Sequence, residues 1–547
     1  MTAPAGSAAR EVGLLPLLVI VVTLITYWPV RDYDFVRWDE QLYVLENPFL
    51  VEPDGLWKAW TTTRETERQY APLLLTTYWI QHRLWGYEPA GYHAVNLWFH
   101  LSNGALVLFL LSALGASRWV AGAAALFFAL HPIQVESVAW VAELKNLQMG
   151  FFYLAAFLFY LYHRSAVSSM GSGRGLFAKG WAAYAATLVL YACALLSKVA
   201  AVTLPLSLFL ADWLLMAPRD RYWWKGSLMR IAPMLLMGVA PALIAVGLEQ
   251  GPAPEATPPV ALRPLIASAA IWFYLGKLLA PIQLVPIYPR WEVSGGAWWL
   301  WGAAIALTAA VFLLWRWRAR IDRLALWGLA FFIACLSPVL GLVPFGYLDH
   351  SFVADHFVYL ACIGVFLAVA VVVESAVRAW PMSRWVAAGL AGVVLTGCIA
   401  LTRAQLPVWR NALTFWTYLA EHNPRSVTVQ NNLGNAYLRH ERLDEAAERY
   451  RRSLEIKPSS GLAHMNLGLV FQKQGRLADA IDHYRRAIDA QPANWLAHYN
   501  LALAYAEAEQ SADALREAQQ AITLARAVGR NPEAAQIEAW IDRYRSQ

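Results

Sequence analysis

Two adjacent carboxylates, Asp39 and Glu40, follow Trp38 shortly after the first long apolar run of the sequence, residues 12–30. The stretch around them, residues 31–48, is too polar to lie inside a bilayer, so we expect a loop directly outside a membrane span. A carboxylate beside the hydrocarbon edge is partly desolvated and becomes a stronger proton acceptor. The pair therefore suits a general base that deprotonates a hydroxyl nucleophile. The alternative is a solvated loop without chemistry.

A second set of ionisable residues interrupts the apolar part of the chain. Ionisable groups in or beside a membrane are costly and tend to mark a functional site. Single members also have structural interpretations, since His131 could end a helix and Lys198 could reach the interface along its own stem. Their convergence on one side of the membrane favours the functional interpretation. The set comprises His131, Glu136, Glu143, Lys145, Lys198, Asp349, His350, Asp355 and His356.

The composition is that of a polytopic membrane protein. Of the 547 residues, 58% are hydrophobic and 15% are charged, whereas soluble domains carry about 25% charged residues. The 27 Trp residues fit many span ends, because Trp collects at the membrane–water interface. We assign the net charge of +6 to cytoplasmic loops and not to nucleic-acid binding. The four Cys residues lie in apolar runs without disulfide or metal-ligand spacing.

The apolar runs predict about eleven transmembrane helices. Basic residues cluster in five loops, and placing these in the cytoplasm leaves Asp39 and the second set outside. This topology requires residues 265–283 to be re-entrant or interfacial, which the prolines just after that run favour. The N-terminus is then cytoplasmic, and the first run is a retained span. The predicted spans lie near residues 13–30, 92–114, 118–135, 144–163, 181–197, 199–216, 230–248, 297–315, 324–344, 352–374 and 384–402.

The C-terminal part of the sequence repeats itself. After a linker at residues 405–424, one pattern recurs every 34 residues, with Asn432, Asn466 and Asn500 in phase. This is the tetratricopeptide pattern, in which helix–turn–helix units stack into an α-solenoid whose concave surface binds peptides or proteins. The repeats cover 425–458, 459–492 and 493–526 within a domain at 425–547, and a capping helix covers 529–547. Residues 31–91 form the first external loop, where we expect two interfacial helices.

An acidic pair in the first external loop followed by tetratricopeptide repeats resembles the transmembrane-and-TPR O-mannosyltransferases (the TMTC family), in a bacterial-type member. More distantly, the sequence is similar to other GT-C glycosyltransferases. The matching motifs are DFVRWDEQLYVLENP, GYEPAGYHAVNLWFHLSN, LHPIQVESVAWVAE, LLSKVAAVTLPL and PFGYLDHSFVADHFVYL. The resemblance implies an all-α fold with a GT-C-like membrane domain at residues 1–404. It also implies inverting transfer of mannose or another hexose from a polyprenyl-phosphate carrier to protein hydroxyl groups.

The resemblance also assigns roles to residues. It places Asp39 at the catalytic acidic position with Glu40 beside it. A departing phosphate needs cations or hydrogen-bond donors, and the second set supplies them. The chain departs from the family pattern at Ala71, Leu144, Asn146 and His356, and relatives tend to carry Arg in place of the first, second and fourth. The residues implied to hold the donor phosphate or the substrate are Lys198, His131, Glu136, Glu143, Lys145, Asp355 and His356.

The predicted partners are the lipid-linked donor, an acceptor protein held by the repeats, and membrane lipids, without nucleic acid. No cofactor follows from the sequence, which leaves a divalent cation (Mg²⁺ or Mn²⁺) open. The predicted location is the bacterial inner membrane, with the site and the repeats on the extracytoplasmic side. A second hypothesis is a catalytically inactive membrane scaffold whose repeats assemble envelope or secretion partners. A transporter is disfavoured because the sequence has no inverted repeat.

Overall fold

The computed structural model describes residues 5–62, 70–168, 174–216, 222–248, 258–380 and 384–546. Every regular element in these ranges is helical. The chain forms two compact units, Met1–Asn411 and Ala412–Gln547, which we call the membrane unit and the repeat unit. The predicted all-α class, a multi-pass membrane part followed by tetratricopeptide repeats, is therefore confirmed.

The membrane unit is built from long apolar helices joined by short helical turns. Its α-helices are Ala5–Tyr27, Pro48–Val51, Gly55–Thr61, Pro72–Trp85, Pro89–Ala113, Arg118–Leu130, Val135–Ala139, Leu144–Ser168, Arg174–Ser197, Leu204–Ala211, Trp223–Leu248, Arg263–Leu279, Trp298–Trp317, Arg323–Leu336, Cys362–Ala379 and Arg384–Gln405. The 3₁₀ turns are Trp28–Asp32, Pro132–Gln134, Val141–Glu143, Val199–Thr203, Val260–Leu262, Ser337–Val339, Gly346–Asp349, Asp355–Val358 and Leu406–Trp409, and two π-helical turns are Gln41–Leu45 and Asp212–Met216.

Ten helical segments in the described ranges are long and apolar enough to cross a membrane, or eleven if one bent pair counts as a broken span. The count agrees with the sequence, but two assignments differ. Val260–Leu279 is a continuous apolar segment of 20 residues where we predicted a re-entrant or interfacial path. The prolines follow its end and so do not interrupt it. Arg323–Leu336 has 14 residues, which at about 1.5 Å per residue is shorter than a span of about 30 Å.

Residues 31–91, which we predict to be the first external loop, contain the two helices expected there, Gly55–Thr61 and Pro72–Trp85. The Trp60 indole N–H donates to the Thr76 hydroxyl at 2.9 Å, which joins them. Residues 63–69, which carry the polar stretch between the two helices, lie outside the described residues. Interfacial placement stays a prediction.

The repeat unit consists of helix pairs at the predicted 34-residue spacing. In each of the first two repeats a glycine faces a tyrosine ring of the second helix: a Cβ at Gly434 would lie 2.5 Å from Tyr450, and one at Gly468 would lie 2.8 Å from Tyr484. Only glycine permits this approach. The unit begins at Ala412, so a helix occupies much of the predicted linker. The helices are Ala412–His422, Val427–Arg439, Leu443–Ile456, Gly461–Lys473, Leu477–Ala490, Trp495–Glu507, Ser511–Ala527 and Asn531–Ser546.

Candidate active site

A tight turn after the first span carries the acidic pair. The backbone enters the left-handed region at Arg37, whose φ is +55°, and this conformation costs a non-glycine residue roughly 1 kcal/mol or more. The Asp39 carbonyl oxygen then accepts backbone hydrogen bonds that begin the π-helical turn Gln41–Leu45. Trp38 stacks on Trp140, with centroids 4.7 Å apart and planes 10° apart. The stack fixes the acidic pair against the HPIQVESVAWVAE segment.

The two predicted catalytic carboxylates have different environments. The Asp39 side chain is 32% exposed, whereas Glu40 is 1% exposed. Glu40 Oε2 accepts a hydrogen bond of 3.1 Å from the Trp38 backbone N–H, and burial raises the pKa of Glu40 to about 7. Asp39 is therefore accessible to a substrate, while buried Glu40 stabilises the turn through its hydrogen bond to the Trp38 backbone.

Lys145 lies between two carboxylates. Its Nζ is 3.2 Å from Asp39 Oδ2 and 3.2 Å from Glu143 Oε1. The first contact is a hydrogen bond, and the second is an ion pair without hydrogen-bond alignment. The Lys145 ammonium also lies over the Tyr43 and Trp140 rings at 5.5 and 5.3 Å. Lys145 is therefore fully engaged by the protein and holds Asp39 in place.

Asn146 extends this arrangement to Lys198. Its amide N–H groups donate to Glu143 Oε2 and to the His356 carbonyl oxygen, the latter at 2.9 Å. Its Oδ1 accepts from Lys198 Nζ at 2.7 Å. The five side chains Asp39, Lys145, Glu143, Asn146 and Lys198 thus form a continuous chain of polar contacts, which we call the Asp39 network.

Lys198 occupies the single-residue break between helix Arg174–Ser197 and the turn Val199–Thr203. Its backbone is extended, with φ −161° and ψ 131°, so the helix ends there and the side chain leaves the apolar run. Lys198, Asn146 and His356 line an open cavity of about 400 Å³, a volume that includes solvent space at its mouth. We call it the Lys198 cavity. A cation beside such a cavity suits an anionic ligand.

The remaining predicted residues fall into two groups. Glu136 and His356 form a buried pair, with Oε1 and Nδ1 2.7 Å apart. Asp355 accepts a hydrogen bond of 2.9 Å from the Tyr288 hydroxyl and, with Glu136, lines a second cavity of about 170 Å³. His131 uses both ring nitrogens inside the protein, Nδ1 for the Ile133 N–H and Nε2 for the Leu278 carbonyl, each at 3.2 Å. His131 therefore fits the helix-end interpretation, and no ring nitrogen is left for a phosphate.

A polar stripe that the sequence reasoning missed supports the site. His93, Asn96, His100 and Asn103 lie on one face of helix Pro89–Ala113 and are at most 1% exposed. Asn96 donates to the Trp140 carbonyl at 3.0 Å, and Asn103 donates to the Leu147 carbonyl at 2.9 Å. These amides hold the backbone on both sides of Glu143 and Lys145. The signal was present in the sequence, because residues three and four positions apart share a helix face.

Cation binding has no direct support among the described residues. No group of three or more His, Cys, Asp or Glu side chains in the described ranges is arranged to hold a metal ion. The Mg²⁺ or Mn²⁺ left open by the sequence therefore stays an open prediction.

Comparison with known proteins agrees with the resemblance found in the sequence. Family models described as "TPR repeat" and "Tetratricopeptide repeat" match residues 434–475, 461–494 and 483–516. The chain is 30% identical over 151 residues to "Protein O-mannosyl-transferase TMTC2" of Mus musculus, covering 27% of this chain and 17% of that protein. It is 34% identical over 151 residues to Tmtc2 of Drosophila melanogaster, covering 27% and 16%. Over 27% of its length, the chain is therefore similar to these TMTC proteins.

Human TMTC3 matches over 195 residues with 28% identity, covering 34% of this chain and 20% of that protein. The matches thus span about a fifth of the length of these relatives. Among solved structures, ArnT from Cupriavidus metallidurans bound to undecaprenyl phosphate aligns over 87% of this chain and 80% of its own. That alignment has 16% identity and a TM-score of 0.37.

Proposed function

We propose that this protein is a GT-C-type membrane glycosyltransferase. It moves mannose or another hexose from a polyprenyl-phosphate carrier to a hydroxyl group of an acceptor protein, with inversion at the anomeric carbon. The observation that carries the proposal is the Asp39 network, which joins a partly exposed carboxylate to a lysine at an open cavity. The names of the relatives, protein O-mannosyl-transferases, support a protein acceptor.

Asp39 is the general base in this proposal. Its Oδ2 is held by Lys145, whereas no hydrogen bond to Oδ1 occurs in the described part of the chain. The acceptor hydroxyl gives its proton to Oδ1, and its oxygen forms the new bond to the anomeric carbon. The bond between that carbon and the phosphate oxygen breaks, and the phosphate leaves with the electron pair. Inversion requires the hydroxyl and the phosphate to lie on opposite faces of the sugar.

Lys198 stabilises the departing phosphate. Its ammonium makes one hydrogen bond, to Asn146, within the described residues, and so has further N–H groups for phosphate oxygens. Charge developing on the leaving group is stabilised best by donors that are already in position. The rigid break that presents Lys198, and the amide that holds it, provide that preorganisation.

The tetratricopeptide repeats recruit the acceptor protein in this proposal, since stacked repeats offer an extended concave binding surface. We place Asp39 and the repeats on the extracytoplasmic side of the bacterial inner membrane, the orientation that the count of basic loops predicts when residues 265–283 do not cross. The partners are then the lipid-linked donor, the acceptor protein and membrane lipids.

The test is transfer by the full-length protein in lipid nanodiscs, with polyprenyl-phosphate mannose and other polyprenyl-phosphate hexoses offered separately. We expect release of free polyprenyl phosphate and an acceptor glycoside whose anomeric configuration is opposite to that of the carrier. Retention of configuration would contradict the assignment of Asp39. No transfer from any of these donors, by protein that stays folded, would favour the inactive scaffold.

A further inference from the structure

We propose that Glu136 positions His356 so that the imidazole Nε2–H donates a hydrogen bond to the carrier phosphate, beside Lys198. This inference rests on the proposed function and names a second phosphate-binding group for it. Glu136 acts through His356 and is a positioning residue. Relatives tend to carry Arg, a permanent cation, at this position. His356 instead offers an N–H donor whose presence depends on the proton that His356 shares with Glu136.

The imidazole of His356 is held on every side but one. Its Nδ1 contacts Glu136 Oε1 at 2.7 Å, and its own carbonyl oxygen accepts from Asn146. The ring lies edge-on to Trp140 and Tyr347, with centroids 5.9 and 5.5 Å away. No hydrogen bond to Nε2 occurs within the described residues, and the ring lines the Lys198 cavity. Nε2 is thus the free polar atom of a fixed ring next to Lys198.

The charge of the pair decides what Nε2 offers. Glu136 and His356 are 3% and 4% exposed, and a net charge at such a site is costly. A pair of zero net charge has an Nε2–H wherever its shared proton lies, on the carboxyl group or on Nδ1. A pair of charge −1 keeps its proton on Nδ1 beside the carboxylate, so Nε2 presents a lone pair and repels a phosphate. An anionic ligand therefore selects the neutral pair.

The groups around the ring act in opposite directions. Burial, followed by the charges of Lys198 and Lys145, lowers the pKa of His356. The carboxylates of Glu136, which contacts the ring directly, and of Asp355, which precedes it in the chain, act in the other direction and favour retention of the proton. The lysines favour loss of the proton from the empty pair, and a bound phosphate favours its return. Carrier binding should therefore take up a proton and weaken as pH rises.

The measurement is the dissociation constant of polyprenyl phosphate for the full-length protein in nanodiscs, across pH 5–9. His356→Gln keeps a neutral N–H donor of similar reach but cannot titrate. The ionisation of the phosphate itself, with a pKa of about 6, cancels in the ratio of the two constants. We expect the wild type to lose about tenfold or more relative to His356→Gln as pH rises, the scale of one charged hydrogen bond. A ratio that is constant with pH would overturn the inference.

Glu136→Gln separates positioning from mere packing. The Gln amide can donate to Nδ1 and has no proton to lose, so Nε2–H persists at all pH values. We expect this variant to bind the carrier more tightly than wild type at pH 9 and about equally at pH 5. Weaker binding at every pH would mean that Glu136 serves only to pack the site, and would overturn its positioning role.

His163→Gln is the matched control, because His163 is also buried, its Nδ1–H donates to the Gly180 carbonyl, and it does not line the Lys198 cavity. Its pH profile should equal that of the wild type, and a changed profile would count against the assignment to His356. Failure of the wild type to bind polyprenyl phosphate at any pH would contradict the proposed function itself. Binding with a flat ratio would remove only the present inference.

Discussion

Two of the charge clusters in the described part of the membrane unit differ in how completely their carboxylates are paired. In one, Asp212 is 1% exposed and contacts Arg164 and Arg230 at 3.0 and 3.1 Å. Its Oδ2 also accepts hydrogen bonds of 2.6 and 2.7 Å from Tyr160 and Ser227. We call this the Asp212 cluster. Side chains from two helices, Leu144–Ser168 and Trp223–Leu248, converge on this carboxylate and place a charged partner against each of its oxygens.

The Asp39 network has the opposite property. Asp39 keeps one oxygen without a hydrogen bond in the described residues, and Lys198 keeps N–H groups beside an open cavity. Asp39 is partly exposed and Lys198 lines a cavity, so both groups are open to a ligand. Burial of charge alone therefore does not mark a site. Incomplete pairing next to a cavity does.

The largest effect is expected at Asp39. Asp39→Asn keeps the size and most hydrogen bonding of the side chain but removes its basicity, so sugar transfer should fall about 100-fold or more. The rate is measured with saturating polyprenyl-phosphate donor and a peptide acceptor. Binding of polyprenyl phosphate and the unfolding temperature should change little, because Asp39 contacts Lys145 and does not line the Lys198 cavity. Transfer at the wild-type rate would shift the role to Glu40.

Asp212→Asn should have the opposite effect, lowering stability while leaving the rate of sugar transfer unchanged. Removing the charge leaves Arg164 and Arg230 without their carboxylate partner, and breaking a buried ion pair costs about 3 kcal/mol or more. We expect a lower unfolding temperature in a thermal-shift assay and, for the protein that stays folded, normal transfer per molecule. A stable Asp212→Asn protein with lost activity would break the distinction between the two clusters.

The repeats could be predicted from sequence because their determinants are local. In-phase residues recur every 34 positions, and each helix pair packs through neighbours such as Gly434 and Tyr450, 16 residues apart. The helix break at Lys198 and the polar loop at Asp39 could also be predicted from the sequence, since each interrupts an apolar run. The predictions of fold class and resemblance were confirmed for the same reason.

The pairings inside the site could not be predicted, because they join distant parts of the chain. Lys145 meets Asp39 across 106 positions, and His356 meets Glu136 across 220. Asn146 looked like a departure from the family pattern, and only the fold reveals that it links Glu143 to Lys198. Asp212 resembles any polar residue at the end of a span until its arginines are located.

A smaller effect is expected at Lys198. Lys198→Ala removes a charge-assisted hydrogen bond to the phosphate, so binding of polyprenyl phosphate should weaken by roughly 1.5–3 kcal/mol. Lys277→Ala is the matched control, because its ammonium donates to the Ile282 and Gln283 carbonyls and does not line the Lys198 cavity. Equal loss of affinity in both variants would mean that the carrier is held by general positive charge and not by the Asp39 network.

The last prediction concerns Glu40 and tests the difference in burial between the two members of the acidic pair. Burial raises the pKa of Glu40 from its reference value of 4.5 to about 7 in the folded protein. Between these values the folded state keeps a proton that the unfolded chain has released, so stability falls as pH rises through this window and is level outside it. One such group contributes a slope of at most about 1.4 kcal/mol per pH unit.

Glu40→Gln stays neutral at every pH, so its stability relative to wild type should rise from pH 5 to pH 8. The measurement is the difference in unfolding temperature between the two proteins across that range. Asp355, whose pKa burial also raises to about 7, shares the window and keeps part of the slope in both proteins. A difference that does not change with pH would mean that Glu40 is not held in a desolvated site. The distinction between Asp39 as an accessible base and Glu40 as a buried structural residue would then be wrong.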